Sequence, residues 1–151
     1  MTAPYAIRSA RDTDQGFIVD SWRNSFAPES QLCAFDRDVY FRLMAKEIGG
    51  ILRDPRTTAL VACDHEDDDA LLGFAVLTGP ELHYVYVRGG RDVSVRKLGI
   101  VRAMLEGRAL DTYSFRTQAG VRRLKPDARG WTYRPRTVAW GEGKFHVEIA
   151  A

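Results

Sequence analysis

The sequence lacks a long apolar run, a cysteine framework and any internal repeat. No stretch of about 18 consecutive apolar residues occurs, so we predict no membrane span. The first ten residues contain no basic stretch followed by an apolar core, so we predict no signal peptide and a cytoplasmic location. The two cysteines, Cys33 and Cys63, match no metal spacing, and we expect them to be reduced thiols without a catalytic role.

The composition is that of an ordinary globular protein, but its charge is unevenly distributed. The chain has 151 residues, of which 45% are hydrophobic and 28% charged, and we predict one domain over residues 1–151. Residues 1–80 contain 8 basic and 13 acidic side chains, whereas residues 81–151 contain 14 basic and 7 acidic ones. We therefore expect the second half to bind an anion. The acidic run at residues 65–69 has no metal-ligand spacing and predicts a solvated turn.

Hydrophobic periodicity predicts a mixed order of strands and helices. Strands are predicted at residues 5–10, 57–63, 70–78, 81–88, 112–116, 131–140 and 144–149. Helices are predicted at residues 36–53, 95–110 and 118–124, and a further helix follows residues 12–14 with the apolar face Phe17, Ile18, Trp22 and Phe26. The order is strand, two helices, three strands, helix, strand, helix and a closing hairpin. We therefore predict an α/β fold, more narrowly an α+β fold with a mixed sheet covered by helices on both faces.

Two segments resemble the Gcn5-related N-acetyltransferase (GNAT) superfamily. Residues 7–14, IRSARDTD, look like the IRxAxxxD start common in that family. Residues 84–87, YVYV, are followed at 96–101 by RKLGIV, where the family has (Arg/Gln)-x-x-Gly-x-(Gly/Ala). The resemblance spans nearly the whole chain and implies a GNAT-like fold that binds acetyl-coenzyme A between its fourth and fifth strands. The sequence is also similar to compact bacteriophage-encoded proteins of this kind, which implies the host cytoplasm as its location.

The resemblance implies a set of cofactor contacts. The loop that wraps the coenzyme A pyrophosphate would contain Arg96, Lys97, Leu98, Gly99, Ile100 and Val101. The fourth-strand backbone at Val85, Tyr86 and Val87 would pair with the pantetheine amides, and the N–H of Tyr86 or Val87 would stabilise the oxyanion. Val101 stands where the family has a small residue, and its β-branched side chain would crowd the pyrophosphate.

The catalytic residues are predicted partly by resemblance and partly by chemistry. Glu81 matches the position of the glutamate base in one branch of the family, and His83 shares its strand parity, so His83 is an alternative base or relay. The family's acid is usually a tyrosine on the helix after the fifth strand, but residues 118–124 contain no tyrosine. Tyr113 and Ser114 on the fifth strand, or Tyr133 in the hairpin, are substitutes by chemistry. No metal is expected.

Two functions from different classes follow from these observations. The first is an N-acetyltransferase that moves an acetyl group from acetyl-CoA to a primary amine of a small molecule or protein by direct attack in a ternary complex. The second is a catalytically inactive GNAT-fold or virion-associated protein whose basic C-terminal half binds a protein or nucleic acid. The final hairpin offers an edge for a homodimer, and Glu29 and Asp36 are either ligands for a cationic amine or solvated surface acids.

Overall fold

The computed structural model describes residues 4–88, 99–140 and 145–148, and the side chains of residues 137–148 fall outside that description. The strands are β1 (Tyr5–Ser9), β2 (Thr57–Asp64), β3 (Leu71–Thr78), β4 (Glu81–Val87), β5 (Thr112–Tyr113), β6 (Thr132–Tyr133), β7 (Thr137–Trp140) and β8 (Phe145–Glu148). The α-helices are α1 (Gln15–Phe26), α2 (Gln31–Phe35), α3 (Arg37–Arg53), α4 (Ile100–Leu105) and α5 (Gln118–Leu124). Short 3₁₀ turns at Asp12–Asp14 and Ala27–Glu29 precede and follow α1.

The described strands form a mixed six-stranded sheet in the order β1-β2-β3-β4-β5-β6. The first three pairings are antiparallel, and the last two, β4 with β5 and β5 with β6, are parallel. The chain segments that contain α4 and α5 make the two parallel connections. The predicted fold, an α+β protein with a mixed sheet, is confirmed.

One face of the sheet is covered by α1 and α3, which carry apolar residues at four-residue intervals. These are Ile18, Trp22 and Phe26 on α1 and Tyr40, Met44 and Ile48 on α3. Trp22 stacks on Tyr84 of β4 with ring centroids 5.0 Å apart and planes 3° from parallel. The opposite face carries Ala62 and Ala75, on which Ile100 and Met104 of α4 pack. Small residues on this face let the short helix approach the strands closely.

An ion pair joins β1 to the start of α1 and involves two residues of the segment that resembles the GNAT opening. The Arg8 guanidinium lies 2.7 Å from Asp14 Oδ2, and the same carboxylate accepts the backbone N–H of Arg11. The hydrogen bond from Arg8 lowers the pKa of Asp14 despite the opposing effect of burial. These residues therefore fix the entry into α1 rather than contact a ligand.

The structure corrects several predicted boundaries. The predicted strand at residues 131–140 is divided into β6 and β7, because Pro135 between them has no N–H for a ladder. β7 pairs with β8 in a separate two-stranded sheet. Within the described residues, α4 ends at Leu105 instead of residue 110, and Gly107 follows with a φ of 75°. The predicted loop between the first two helices contains α2.

None of the helices in the described ranges has the length and apolar character needed to cross a membrane. The His, Cys, Asp and Glu side chains of these ranges form no group of three placed to hold a metal ion. Both cysteines are free thiols.

Gly73 of β3 should be required for the packing of β3 on β4. A Cβ at this position would collide with the backbone carbonyl oxygen of Tyr86, whereas a Cβ at Gly50 on α3 would meet no atom within 4 Å. We expect Gly73→Ala to lower the free energy of unfolding by about 1–3 kcal/mol, since backbone must move to accept the methyl group. The matched change Gly50→Ala should raise it by about 0.5–1 kcal/mol. Urea denaturation measures both, and equal stabilities would contradict this packing.

Candidate functional site

The site begins where β4 and β5 separate. Their register contains two residue pairs, Glu81 with Thr112 and Leu82 with Tyr113. The Ser114 N–H then donates to the Leu82 carbonyl at 3.1 Å. β4 continues to residue 87, whereas β5 ends at residue 113. Among the described residues, the later part of β4 therefore has no neighbouring strand on that side.

The backbone of this unpartnered part of β4 has a defined orientation. The Arg88 N–H donates to the carbonyl of Leu72 on β3 at 2.6 Å. Because backbone groups alternate along an antiparallel ladder, those of Tyr86 also point to β3, and those of Val85 and Val87 point away from it. Val85 and Val87 thus present N–H and C=O groups to the space between β4 and β5. Of the two N–H groups predicted to stabilise the oxyanion, that of Tyr86 points to β3 and therefore away from the cleft.

A cleft of about 1100 Å³ occupies this space. Its walls come from β4, α4, β5 and α5 together with the end of α1. Six of the predicted cofactor residues line it: Val85, Tyr86, Val87, Gly99, Ile100 and Val101. Arg96, Lys97 and Leu98 lie outside the described residues. Gly99 has a φ of 70°, which favours glycine, and it stands immediately before α4.

The charges around the cleft are predominantly positive. Its lining includes four arginines and two glutamates: Arg102, Arg116, Arg123, Arg129, Glu29 and Glu106. All four arginines belong to the basic second half of the sequence. A cleft with this surplus attracts an anionic ligand.

No protein-family model matches the chain, and no curated protein matches it either. Among solved structures, a GCN5-related N-acetyltransferase from Rhodopseudomonas palustris matches 99% of this chain and 92% of its own at 22% identity, with a TM-score of 0.50. The chain has the GNAT fold.

Other solved structures match with lower TM-scores. YjaB from Escherichia coli, in its apo form, gives a TM-score of 0.45 at 23% identity over 70% of this chain. The spermidine N-acetyltransferase of Vibrio cholerae, solved with CoA and spermine, gives 0.40 at 15% identity over 68%. The matched regions cover 63% of YjaB and 62% of the Vibrio protein.

His83 lies in a hydrogen-bonded row that connects β2, β3 and β4 of this GNAT fold to Ser114, the residue that follows β5. Its Nε2 is 2.9 Å from the Thr78 hydroxyl, which lies 2.8 Å from the Thr57 hydroxyl, and its Nδ1 is 2.7 Å from Ser114 Oγ. The Glu81 carboxylate is 3.6 Å from the same Nδ1, so the predicted common face of Glu81 and His83 is confirmed. His83, Ser114 and Glu81 are absent from the cleft lining.

The imidazole of His83 is neutral at pH 7. Burial is the main cause that lowers its pKa from 6.5 to about 4; the positive charge of Arg136 lowers it further, and the charge of Asp54 opposes the change. Its 3.6 Å contact with Glu81 is therefore not an ion pair at neutral pH. The row holds β2, β3 and β4 to the residue that follows β5, below the point where β4 and β5 separate.

Tyr113 does line the cleft, unlike Ser114. Its hydroxyl donates to Asp127 at 2.7 Å, and burial together with this bond raises the pKa of Tyr113 to about 12. The hydroxyl is protonated at neutral pH. Ser114 is 1% exposed and bonded to His83, which keeps it from any ligand in the cleft.

The cleft lining also contains a pair of hydroxyl groups that was not predicted from the sequence. Ser25 Oγ on α1 lies 2.7 Å from the Tyr84 hydroxyl. Burial raises the pKa of Tyr84 to about 12, and the bond to Ser25 partly opposes that increase. Ser25 lies three residues after Trp22, which stacks on Tyr84, so helical spacing was the available signal.

The pKa of His83 makes the stability of the protein depend on pH. The folded-state pKa of about 4 lies below the unfolded value of 6.5, so the unfolded chain takes up the proton first. The contribution of the neutral imidazole is complete above pH 6.5 and is lost as the pH falls toward 4. Between pH 7 and 4.5, the wild type should lose about 2–3 kcal/mol more unfolding free energy than His83→Gln. Equal losses in chemical denaturation would contradict a buried neutral imidazole.

Proposed function

We propose that the protein is an N-acetyltransferase that transfers an acetyl group from acetyl-CoA to a primary amine. The observation that carries this proposal is the unpartnered edge of β4, whose Val85 and Val87 backbone groups border a large cleft in a GNAT fold. Buried backbone groups require partners, and a ligand rich in amides satisfies them as an added strand would. The pantetheine arm of coenzyme A is such a ligand.

The remaining features of the cleft fit coenzyme A. Its volume of about 1100 Å³ is sufficient for a large ligand. Arg102, Arg123 and Arg129 line it and offer guanidinium groups to phosphates. Val101 borders the same cleft and is half-buried, and the expectation that it crowds the pyrophosphate stays a prediction.

When bound, acetyl-CoA supplies an acyl group activated as a thioester. The Val87 N–H, directed away from β3, is proposed as the donor that stabilises negative charge on the thioester oxygen. Tyr113 is proposed as the proton donor to the departing sulfur, because its hydroxyl is protonated at neutral pH and the side chain lines the cleft; the hydroxyl would have to turn from Asp127, its hydrogen-bond acceptor in the free protein, to the sulfur.

The base that takes the ammonium proton has two candidates. Glu81 is the candidate from the sequence, and it would act through water because it lies outside the cleft lining. Glu29 is the second candidate, and its position in the lining favours it. The kcat of Glu81→Gln against that of Glu29→Gln, measured at saturating amine, decides between them, since a loss of kcat in only one variant identifies the base and a change in KM alone reports binding.

Other expectations stay predictions. These are the cytoplasmic location, the bacteriophage origin, the homodimer and the binding of a protein or nucleic acid by the basic half. The nucleic-acid alternative has some support in the Arg129 guanidinium, which lies 5.6 Å from the centroid of the Trp131 ring. Arg129 also lines the cleft, so a phosphate-bearing cofactor uses the same charge.

Titration calorimetry with acetyl-CoA tests the proposed cofactor site. We expect saturable one-to-one binding to the wild type and weaker binding of dephospho-acetyl-CoA. Ala119 is exposed on α5 and lines the cleft, so Ala119→Trp should weaken binding at least about tenfold by filling the space. Ala109 is exposed outside the lining, and Ala109→Trp should bind as the wild type does.

Two results would contradict the proposal. Absence of binding at millimolar acetyl-CoA would overturn it. Equal binding by Ala119→Trp and Ala109→Trp would show that the cofactor lies elsewhere. Binding without turnover on any amine would instead support the inactive GNAT-fold protein.

A further inference from the structure

The main cleft continues into a second cavity at the end of α1. This smaller cavity has a volume of about 320 Å³ and is lined by Glu29, Arg116, Thr117, Gln118, Val121 and Arg122. Four of these residues, Glu29, Arg116, Thr117 and Val121, also line the main cleft. The two spaces are therefore adjacent, and a molecule in the smaller one has access to the main cleft.

Glu29 is the acidic group shared by both cavities. The 3₁₀ turn Ala27–Glu29, with Pro28 in its middle, places the half-buried side chain between α1 and the start of α5. One carboxylate oxygen lies 3.5 Å from the Gln118 backbone nitrogen. Glu29 and Tyr84 also both line the main cleft, and the negative charge of Glu29 contributes to the raised pKa of Tyr84.

The Tyr84 hydroxyl is oriented to accept a hydrogen bond. Ser25 Oγ lies 2.6 Å from the Ser21 carbonyl, which can only accept, so the Ser25 hydrogen is committed to that carbonyl. In the 2.7 Å contact between the two hydroxyls, Tyr84 is then the donor. Its oxygen retains the capacity to accept a hydrogen bond, and Tyr84 is one of the residues that line the main cleft. A carboxylate and a neutral hydroxyl oxygen together suit the N–H groups of an amine.

The same cavity contains two positive charges. Arg116 and Arg122 are both exposed and both contribute to the lining. The Arg116 guanidinium lies 3.9 Å from Asp127 and 6.0 Å from the centroid of the Tyr133 ring, contacts that leave its planar fork able to bind a carboxylate. An acceptor with only positive charges, such as a polyamine, would be repelled here. An acceptor with a carboxylate close to its amine would meet an arginine with its carboxylate and Glu29 with its ammonium group.

We propose that the acceptor is a zwitterion of amino-acid size, with its ammonium group at Glu29, which lines both spaces, and its carboxylate at Arg116. This inference rests on the proposed acetyltransferase function and adds the chemical class of the acceptor. The volume of the smaller cavity suits a free amino acid rather than a folded protein surface. The product is an N-acetyl amino acid, formed as the amine loses a proton and the CoA thiol departs.

Four acceptors of graded charge test this inference. Release of the CoA thiol is measured with L-leucine, L-leucinamide, 3-methylbutylamine and spermidine, which share an amine but differ in the group beside it. Leucine is chosen because Val121 and the methyl group of Thr117 offer apolar contact. We expect leucine to have a KM about tenfold below those of the other three, because only leucine has the carboxylate.

Two substitutions test the carboxylate contact and the ammonium contact of the acceptor separately. Arg116→Gln should raise the KM for leucine about tenfold and leave that for 3-methylbutylamine unchanged. Glu29→Gln should impair all four amines. Arg42 is exposed on α3 and lines neither cavity, so Arg42→Gln serves as the charge-matched control and should behave as the wild type. Calorimetric titration of leucine into the CoA-saturated protein gives a readout independent of turnover, with the same dependence on Arg116.

Several results would overturn the inference. Preference for spermidine, or an equal effect of Arg116→Gln on leucine and 3-methylbutylamine, would contradict the carboxylate contact. Acetyl-CoA binding together with no binding or acetylation of leucine would reject the amino-acid acceptor and leave the proposed function standing. Failure of acetyl-CoA itself to bind would reject both.

Discussion

The unequal pairing of β4 is the constraint on which the candidate site depends. One edge of this strand is hydrogen-bonded to β3 along its length, whereas the other edge pairs with β5 only at residues 81 and 82. A bulge at His83 accompanies this change: Val76 pairs with Tyr84, but Leu77 pairs with Leu82. The bulge shifts the alternation by one residue, so that Leu82 bonds to β5 and the later odd-numbered residues face the cleft.

Buried aromatic and polar groups keep this arrangement in place. Below the separation, the His83 imidazole joins the hydroxyl groups of Thr78 on β3 and Ser114 after β5. Beyond the point where β4 and β5 separate, Tyr84 is stacked on Trp22 of α1. This contact holds β4 to the helix layer where its cleft-side edge has no described strand neighbour. Because an unsatisfied buried polar group lowers stability, the neutral imidazole with its two partners stabilises the point where β4 and β5 separate. The histidine predicted as a base therefore has a clear structural role.

The fold was predictable because local patterns and global order agreed. Four-residue spacing identified α1 and α3, and the β-branched runs identified β2 and β3. The division of the last predicted strand at Pro135 was missed, although proline lacks the N–H that a ladder requires. The short α2 was missed because five residues carry too little periodic signal.

The site was only partly predictable, because its shape arises from tertiary packing. The resemblance pointed to Val85, Val87 and Gly99, which line the cleft. It could not show which backbone groups face the cleft, since that depends on a one-residue bulge. The arginines of α5 and the following loop suggested, as the alternative function, a surface for a macromolecule; in the structure Arg123 and Arg129 line the same cleft as β4.

Amide hydrogen exchange at β4 tests the central claim most directly. In the free protein, the amides of Val85 and Val87 should exchange rapidly and those of Tyr84 and Tyr86 slowly, because only the latter are bonded to β3. Addition of coenzyme A should slow exchange at Val85 or Val87 and leave Tyr84 and Tyr86 unchanged. Equal protection of all four amides in the free protein, or no change on adding coenzyme A, would contradict an open edge of β4 as the cofactor site.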